Sequence, residues 1–428
     1  MIAEFTVENF LSFKERRTFS LVAAARDDTL AESNAFTAGR GQEFLKSAVI
    51  YGANASGKTS FFKALVFFLD FAVHSAPHKQ AGDPTGSVPF ALSSHNPSAP
   101  SSFEIVFFAS DGDGGATRYR YGLALDRERV VGEYLFAMYS SKETRLFSRD
   151  SQDIAISGRF REGARGKPLV RNNCAFLSVC AQSNGPVSAG IIAYFRNIQV
   201  MSGEEYEFPS PPFGRARRHP LPKDAVLDFL KYADIQITGL KTETVPFFEG
   251  IPDPDPDLER FLKKKIPDTL VERTRFGHAV YDDGALVGEV YLDETDESAG
   301  TRRLFSYAEP VLSTLAGGTQ LFIDEFDIML HPLIIERILR LFNSTDDNPN
   351  NAQLVISCHA VNIMTDKLLR RDQIWFCEKD RYGATDLYSL LEFEGVRKDA
   401  SFGKDYLRGK YGAVPYLEEF VNRMIPDK

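Results

Sequence analysis

The sequence of 428 residues lacks several features that mark common protein classes. It has only four cysteines and no C-x-x-C pair, which excludes a disulfide framework and argues against a zinc site. Its most apolar run, residues 64–73, contains Asp70 and has about half the length needed to span a bilayer. No basic stretch followed by an apolar one opens the chain, so no export signal is visible. We therefore expect a cytoplasmic protein that does not bind membranes.

Basic residues are also in the minority. The chain has 50 Lys and Arg against 59 Asp and Glu, a net charge of −9, which argues against a surface that binds nucleic acid all over. Two local basic clusters, residues 215–219 and 263–265, keep nucleic acid possible as a ligand. Hydrophobic residues make up 43% and charged residues 25%, the balance of an ordinary folded protein.

The pattern of apolar residues divides the chain into three parts. Residues 1–205 form an N-terminal lobe, in which the apolar run 47–51 predicts a strand and the spacing after Lys58 predicts a helix. Three strand-like runs between residues 102 and 147 predict an antiparallel meander. Residues 206–284, where prolines precede a helical pattern, predict an inserted helical lobe.

Residues 285–428 form the third part, a C-terminal lobe in which helices and strands alternate. Such alternation predicts a parallel sheet, and hence an α/β fold. The predicted elements are helices at 302–315, 332–342 and 361–369 and strands at 320–324, 353–358 and 373–377.

One segment matches a phosphate-binding motif. The run Gly52-Ala-Asn-Ala-Ser-Gly57-Lys58-Thr59 fits G-x-x-x-x-G-K-[ST] and lies between the predicted strand and helix, where its backbone N–H groups can face phosphates. Lys58 is expected to reach the β- and γ-phosphates of ATP, and the Thr59 hydroxyl to hold Mg²⁺. The predicted nucleotide contacts in this loop are Gly52, Asn54, Ser56, Gly57, Lys58, Thr59 and Ser60.

Two acids follow a second apolar strand. Leu321-Phe-Ile323 runs into Asp324 and Glu325, so Asp324 is expected to hold Mg²⁺ and Glu325 to activate the attacking water. Two adjacent carboxylates at this place favour hydrolysis over simple nucleotide binding. His359 ends a third apolar strand, and the order of these motifs is that of ABC-type ATPases, whose switch histidine contacts the γ-phosphate; we assign that role to His359.

An ABC-type ATPase also needs a signature turn that completes the site of a partner subunit, and two segments compete for this role. Leu315–Gln320 resembles the signature by its letters, but it ends where the strand before Asp324 begins, so we interpret it as a turn. Ser298 and Gly300 precede a full predicted helix, whose N-terminus suits a γ-phosphate from another protomer. We therefore assign the signature to Ser298 and Gly300, with an ordinary helix cap as the alternative.

Together these motifs resemble the SMC/RecF-like branch of ABC ATPases, in particular the abortive-infection and phage-defence ATPases of the AbiL/RloA-like family. The resemblance implies an ABC-type P-loop ATPase head that forms a head-to-tail homodimer, or a higher oligomer, around two ATP molecules. The sequence departs from the pattern of ABC ATPases in two places. His331 stands where transporter-type ABC proteins have aspartate, and no glutamine can be assigned to the Q-loop. The segments that carry the resemblance are Phe5–Phe13, Tyr51–Thr59, Glu297–Thr301, Ile323–Pro332, Arg371–Asp380 and Tyr406–Pro415.

The resemblance leaves three functions open. The favoured one is a sensor or scaffold ATPase in antiviral defence, because relatives are commonly paired with a separate Toprim-like or RloB-like nuclease. The alternative is a RecF-like ATPase of DNA repair or chromosome maintenance that binds DNA. A self-contained nuclease is disfavoured, since only 48 residues follow Asp380 and the acidic runs at 111–113 and 253–257 lie in turn-like contexts.

Overall fold

The computed structural model describes residues 1–25, 27–39, 41–110, 115–201, 222–233, 235–246, 270–397 and 400–415. The strands among these residues are β1 (Ile2–Glu8), β2 (Arg17–Ser20), β3 (Ala35–Ala38), β4 (Gln42–Leu45), β5 (Ser47–Tyr51), β6 (Ser101–Ser110), β7 (Ala116–Leu125), β8 (Val130–Met138), β9 (Thr144–Asp150), β10 (Asp153–Ile156), β11 (Ile198–Met201), β12 (Gly239–Pro246), β13 (Leu270–Asp282), β14 (Ala285–Asp293), β15 (Gln320–Ile323), β16 (Gln353–Ser357), β17 (Ile374–Lys379) and β18 (Thr385–Ser389). The helices are α1 (Ala31–Asn34), α2 (Lys58–His78), α3 (Gly163–Gly166), α4 (Phe176–Gln182), α5 (Pro186–Asn197), α6 (Lys223–Tyr232), α7 (Ala299–Gly317), α8 (Pro332–Asn343) and α9 (Phe402–Leu407).

A six-stranded sheet orders the C-terminal lobe and places β5 of the N-terminal lobe inside it. Its order is β11-β15-β16-β5-β17-β18, and every pair is parallel except the edge pair of β17 and β18. The predicted parallel sheet is therefore confirmed. Because the carboxyl ends of parallel strands meet at one edge, the segments that follow β5, β15 and β16 come together there.

A seven-stranded antiparallel sheet forms the second layer, in the order β10-β9-β8-β7-β6-β1-β2. It confirms the predicted meander, in which β6, β7 and β8 pair in sequence. Helix α2 packs on both sheets: Phe61 contacts Phe5 of β1 with ring centroids 5.8 Å apart, and Phe62 contacts Phe322 of β15 at 6.5 Å. The aromatic residues of α2 thus fix the helix, and the loop that precedes it, against the core.

Helix α2 is also long and apolar enough to cross a membrane, by length and composition alone. In this fold 61% of its apolar window is buried inside the protein. Its apolar face is thus already used in the core.

Two predicted elements are wrong. The described part of the inserted segment is not simply helical, because after α6 its strands β12 and β13 pair antiparallel, and β13 also pairs with β14 just beyond the segment. Its hairpin turns at Asp283-Gly284, both with positive φ, and Asp-Gly between β-branched and aromatic residues is a strong hairpin signal. The predicted helix 361–369 is only a 3-10 turn at Val361–Ile363. Most of the apolar residues of this segment are buried, and their spacing in the sequence resembles that of a helix although they do not form one.

The chain forms two compact units. The first contains Met1–Pro212, Thr314–Ile328 and Ile335–Lys428, and the second contains Phe213–Ser313 and Met329–Ile334. The basic clusters at 215–219 and 263–265 lie outside the described residues, as do the acidic runs at 111–113 and 253–257. The predicted three-part division of the chain stays a prediction.

Candidate nucleotide site

The phosphate-binding loop joins β5 to α2, as predicted, and its glycines are required by close contacts. Gly57 has a φ of 111°, and a Cβ on this residue would overlap the side chain of Thr385. The Thr385 hydroxyl lies 2.9 Å from the Ser56 carbonyl oxygen and 2.8 Å from the Ser12 hydroxyl, so it connects the phosphate-binding loop to the segment around Ser12. No sequence motif marks Thr385, because its role depends on the pairing of β18 with β17.

Lys58 is the buried cation of the site. The residue is 5% exposed, and its Nζ donates to the carbonyl oxygens of Gly52 at 2.8 Å and Ala53 at 3.1 Å. Burial lowers the pKa of Lys58, and the charges of nearby groups, including Asp324 and Glu325, act in the opposite direction. The lysine and the two acids predicted from separate motifs therefore lie within electrostatic reach of one another.

Ser357, at the end of β16, organises the two acids. Its hydroxyl donates to Asp324 Oδ1 at 2.5 Å and accepts the backbone N–H of Glu325 at 2.7 Å. Asp324 is 2% exposed, and Glu325 has a left-handed backbone with a φ of 52°. One hydroxyl on the neighbouring strand thus fixes a carboxylate oxygen of Asp324 and the backbone of Glu325. No sequence motif marks Ser357, because its role depends on the pairing of β16 with β15.

His359 follows the same strand, and its backbone N–H donates to Asp327 Oδ2 at 2.7 Å. Asp327, which no sequence motif assigns to the site, thereby links the segment after β15 to the segment after β16. Burial and then the charge of Lys58 lower the pKa of His359, while Asp327 and Asp324 raise it. The net shift is downward, so the imidazole is neutral at pH 7 and can donate one hydrogen bond and accept another.

Replacing Ser357 by alanine is expected to lower the turnover of ATP about tenfold while ATP binding changes little. The change leaves the Glu325 N–H without its acceptor and Asp324 without one donor, and unpaired buried polar groups cost about 1–3 kcal/mol. Steady-state hydrolysis measures the turnover, ATP titration measures the binding, and chemical denaturation measures the loss in free energy of unfolding. Ser47→Ala is the matched control, because the buried Ser47 hydroxyl also has two hydrogen-bond partners. Ser47 lies at the end of β5 that is away from the phosphate-binding loop. An equal loss of turnover in both variants would contradict the role of Ser357.

Ser298 and Gly300 belong to the second compact unit, at the start of α7. The Ser298 hydroxyl accepts the Thr301 backbone N–H at 3.0 Å, so it caps the helix whatever else it does. Their signature role stays a prediction. Of the segment Leu315–Gln320, only Gly318 and Thr319 form the predicted turn, since α7 extends to Gly317 and β15 begins at Gln320. His331 Nδ1 accepts the Leu333 N–H at 3.2 Å at the start of α8.

Comparison with known proteins shows the family. Residues 47–174 and 214–365 match the family described as "AAA domain, putative AbiEii toxin, Type IV TA system", and the chain belongs to this family. Membership and the motif-bearing parallel sheet confirm the predicted α/β P-loop ATPase fold. The finer AbiL/RloA-like assignment stays a prediction.

Two solved structures are similar at low identity. The SMC head domain from Thermotoga maritima is 12% identical, with a TM-score of 0.39 over 91% of this chain and 98% of that one. An SMC head bound to the C-terminal winged-helix domain of ScpA is also 12% identical, with a TM-score of 0.38 over 91% and 97%. No match is found among curated proteins.

Proposed function

We propose that the protein is a Mg²⁺-dependent ATPase of the ABC type. The observation that carries this proposal is the meeting of Lys58, Asp324, Glu325 and His359 at one edge of the parallel sheet. The buried Asp324 carboxylate and the Thr59 hydroxyl are oxygen ligands of the kind that Mg²⁺ prefers beside nucleotide phosphates. When bound, the ion supplies positive charge that stabilises the transferring phosphoryl group.

The remaining steps, phosphate binding and activation of the attacking water, are carried out by side chains of the protein. Lys58 binds the β- and γ-phosphates, and the loop N–H groups add hydrogen bonds to them. Glu325 orients a water molecule and accepts its proton. The neutral imidazole of His359 donates a hydrogen bond to the γ-phosphate. Through Asp327, which accepts the His359 backbone N–H, this contact couples the γ-phosphate to the segment after β15.

The second part of the proposal is a head-to-tail homodimer. Ser298 and Gly300 of one protomer face the γ-phosphate bound by the other, where the helix N-terminus and the hydroxyl favour negative charge. ATP then stabilises the closed dimer, because its γ-phosphate contacts the closed state and not the open one. Hydrolysis reverses this preference.

The third part is biological: the ATPase acts as sensor or scaffold in antiviral defence with a separately encoded effector, a Toprim-like or RloB-like nuclease. The family description, which names a putative AbiEii toxin of a type IV toxin–antitoxin system, supports this role. Among the residues that the structure describes, no group of three His, Cys, Asp or Glu side chains could hold a metal ion.

The purified protein, supplied with ATP and Mg²⁺, is expected to cleave neither DNA nor RNA over a time in which it hydrolyses ATP. Gel assays on labelled single- and double-stranded substrates, with Lys58→Ala as the control, measure this. Cleavage that persists in Lys58→Ala would contradict the need for an effector. Tight, salt-sensitive DNA binding that is lost in Arg217→Ala/Arg218→Ala would instead favour the DNA-maintenance ATPase.

A further inference from the structure

The C-terminal strap, which we define as residues 402–415, contacts the phosphate-binding loop. The backbone N–H of Ala53, the second residue of that loop, donates to the carbonyl oxygen of Ala413 at 3.0 Å. Ala413 is 1% exposed, so this hydrogen bond is shielded from water. One loop N–H is thereby bound to the strap and is not free to bind a phosphate.

The other end of the strap contacts the segment that follows His359. The N–H of Gly403 in α9 donates to the Met364 carbonyl oxygen at 3.1 Å. A Cβ on Gly403 would lie 2.8 Å from the Val361 carbonyl oxygen, which leaves no room for a side chain. The strap therefore touches both loops to which the γ-phosphate contacts are assigned.

Tyr406 and Gly412 give the strap its shape. The Tyr406 hydroxyl donates to the same Ala413 carbonyl oxygen at 3.0 Å, and its ring stacks on Phe376 of β17 at 5.5 Å. Gly412 has a φ of +67°, and a Cβ there would lie 2.7 Å from both Glu378 Oε2 and the Tyr388 hydroxyl. The Ala413 carbonyl is thus aimed at Ala53 by a buried tyrosine and by a turn that accepts only glycine.

We propose that the strap positions the two γ-phosphate loops, with Tyr406 and Gly412 setting the phosphate-binding loop and Gly403 setting the His359 segment. This proposal rests on the proposed ATPase function and adds a division of labour within it. A loop held in its binding shape before ATP arrives loses less conformational entropy on binding, so the P-loop end of the strap controls affinity. The His359 end controls turnover, because that loop acts on the γ-phosphate after binding.

Three strap variants and one control test the division. Tyr406→Phe keeps the ring but removes one donor to the Ala413 carbonyl oxygen, and we expect it to raise the Kd for ATP about fivefold. Gly412→Ala displaces the turn, and we expect it to raise the Kd about tenfold. In both variants kcat should stay within about twofold of wild type. Gly403→Ala is expected to lower kcat about tenfold with Kd unchanged. Gly395→Ala is the control, since Gly395 also has a positive φ of +75° but no atom within 4 Å of its Cβ position.

Binding of a fluorescent ATP analogue, steady-state hydrolysis and hydrogen exchange of the peptide 50–57 are measured on the full chain. Faster exchange of that peptide in Tyr406→Phe and Gly412→Ala, but not in Gly395→Ala, is the result that supports the strap. If the strap variants match the control in Kd, kcat and exchange, or lose only thermal stability, the proposal is overturned. A wild-type protein that does not bind ATP would refute the proposed function itself.

Discussion

Replacing Glu325 by glutamine is expected to leave ATP binding intact and to slow hydrolysis at least about 100-fold, the usual contribution of a general base. Glutamine keeps the size of the side chain and the Glu325 backbone N–H that Ser357 accepts. It removes only the carboxylate that takes the proton of the attacking water. Titration with ATP and steady-state phosphate release give the two quantities on the same preparation.

Glu336→Gln is the matched control for this experiment. Glu336 is a surface carboxylate of α8 that pairs with Arg340, and the same chemical change there removes no group assigned to the site. We expect Glu336→Gln to behave as wild type. Near-normal turnover in Glu325→Gln would contradict its assignment as the base and would leave Asp327 as the next carboxylate to consider.

Replacing Ser298 by arginine is expected to block hydrolysis almost completely while single-site ATP binding stays close to wild type. The bulky cation would prevent the helix N-terminus of one protomer from approaching the nucleotide of the other. Ser298→Arg and Lys58→Ala should each be inactive alone. Their mixture should recover up to about one quarter of wild-type activity, because half of random dimers are mixed and each of these assembles one intact site from two halves.

A second variant at Ser298 is needed, because arginine also removes the helix cap. Loss of the hydrogen bond to the Thr301 N–H lowers the free energy of unfolding by about 0.5–2 kcal/mol. Ser298→Asp keeps a capping oxygen but brings a negative charge toward the γ-phosphate. It should therefore match wild type in stability and lose hydrolysis. Confirmed mixed dimers with no activity, or full activity in Ser298→Asp, would contradict a signature that acts in trans.

The sequence predicted the strand-linked motifs well, and the reason is local. A buried strand, a glycine loop and a helix are consecutive in the chain around Lys58, and the same holds for β15 and Asp324. Such units can be predicted because their geometry depends on neighbouring residues. The alternation of helices and strands after residue 285 also predicted the parallel sheet, but not the position of β5 between β16 and β17 that brings Lys58 to the same edge.

The residues that support the site could not be predicted, because their roles depend on contacts between distant segments. Ser357 reaches Asp324 across 33 positions of the chain, and Thr385 reaches Ser56 across 329. Neither serine nor threonine carries a signal at such a distance. The contact between Ala53 and Ala413 is made by two backbone groups, which any residue could supply, so no residue type marks it.

Equilibrium binding of ATP to wild type and to Lys58→Ala, in the presence of Mg²⁺, tests the central claim most directly. Lys58 lies beside Asp324 and Glu325 at the loop, so its removal should abolish measurable binding, whereas Lys63→Ala, on an exposed position of the same helix, should bind as wild type. Loss of binding in Lys58→Ala alone is the predicted result. Equal affinity in wild type and Lys58→Ala would show that the nucleotide does not bind at this loop.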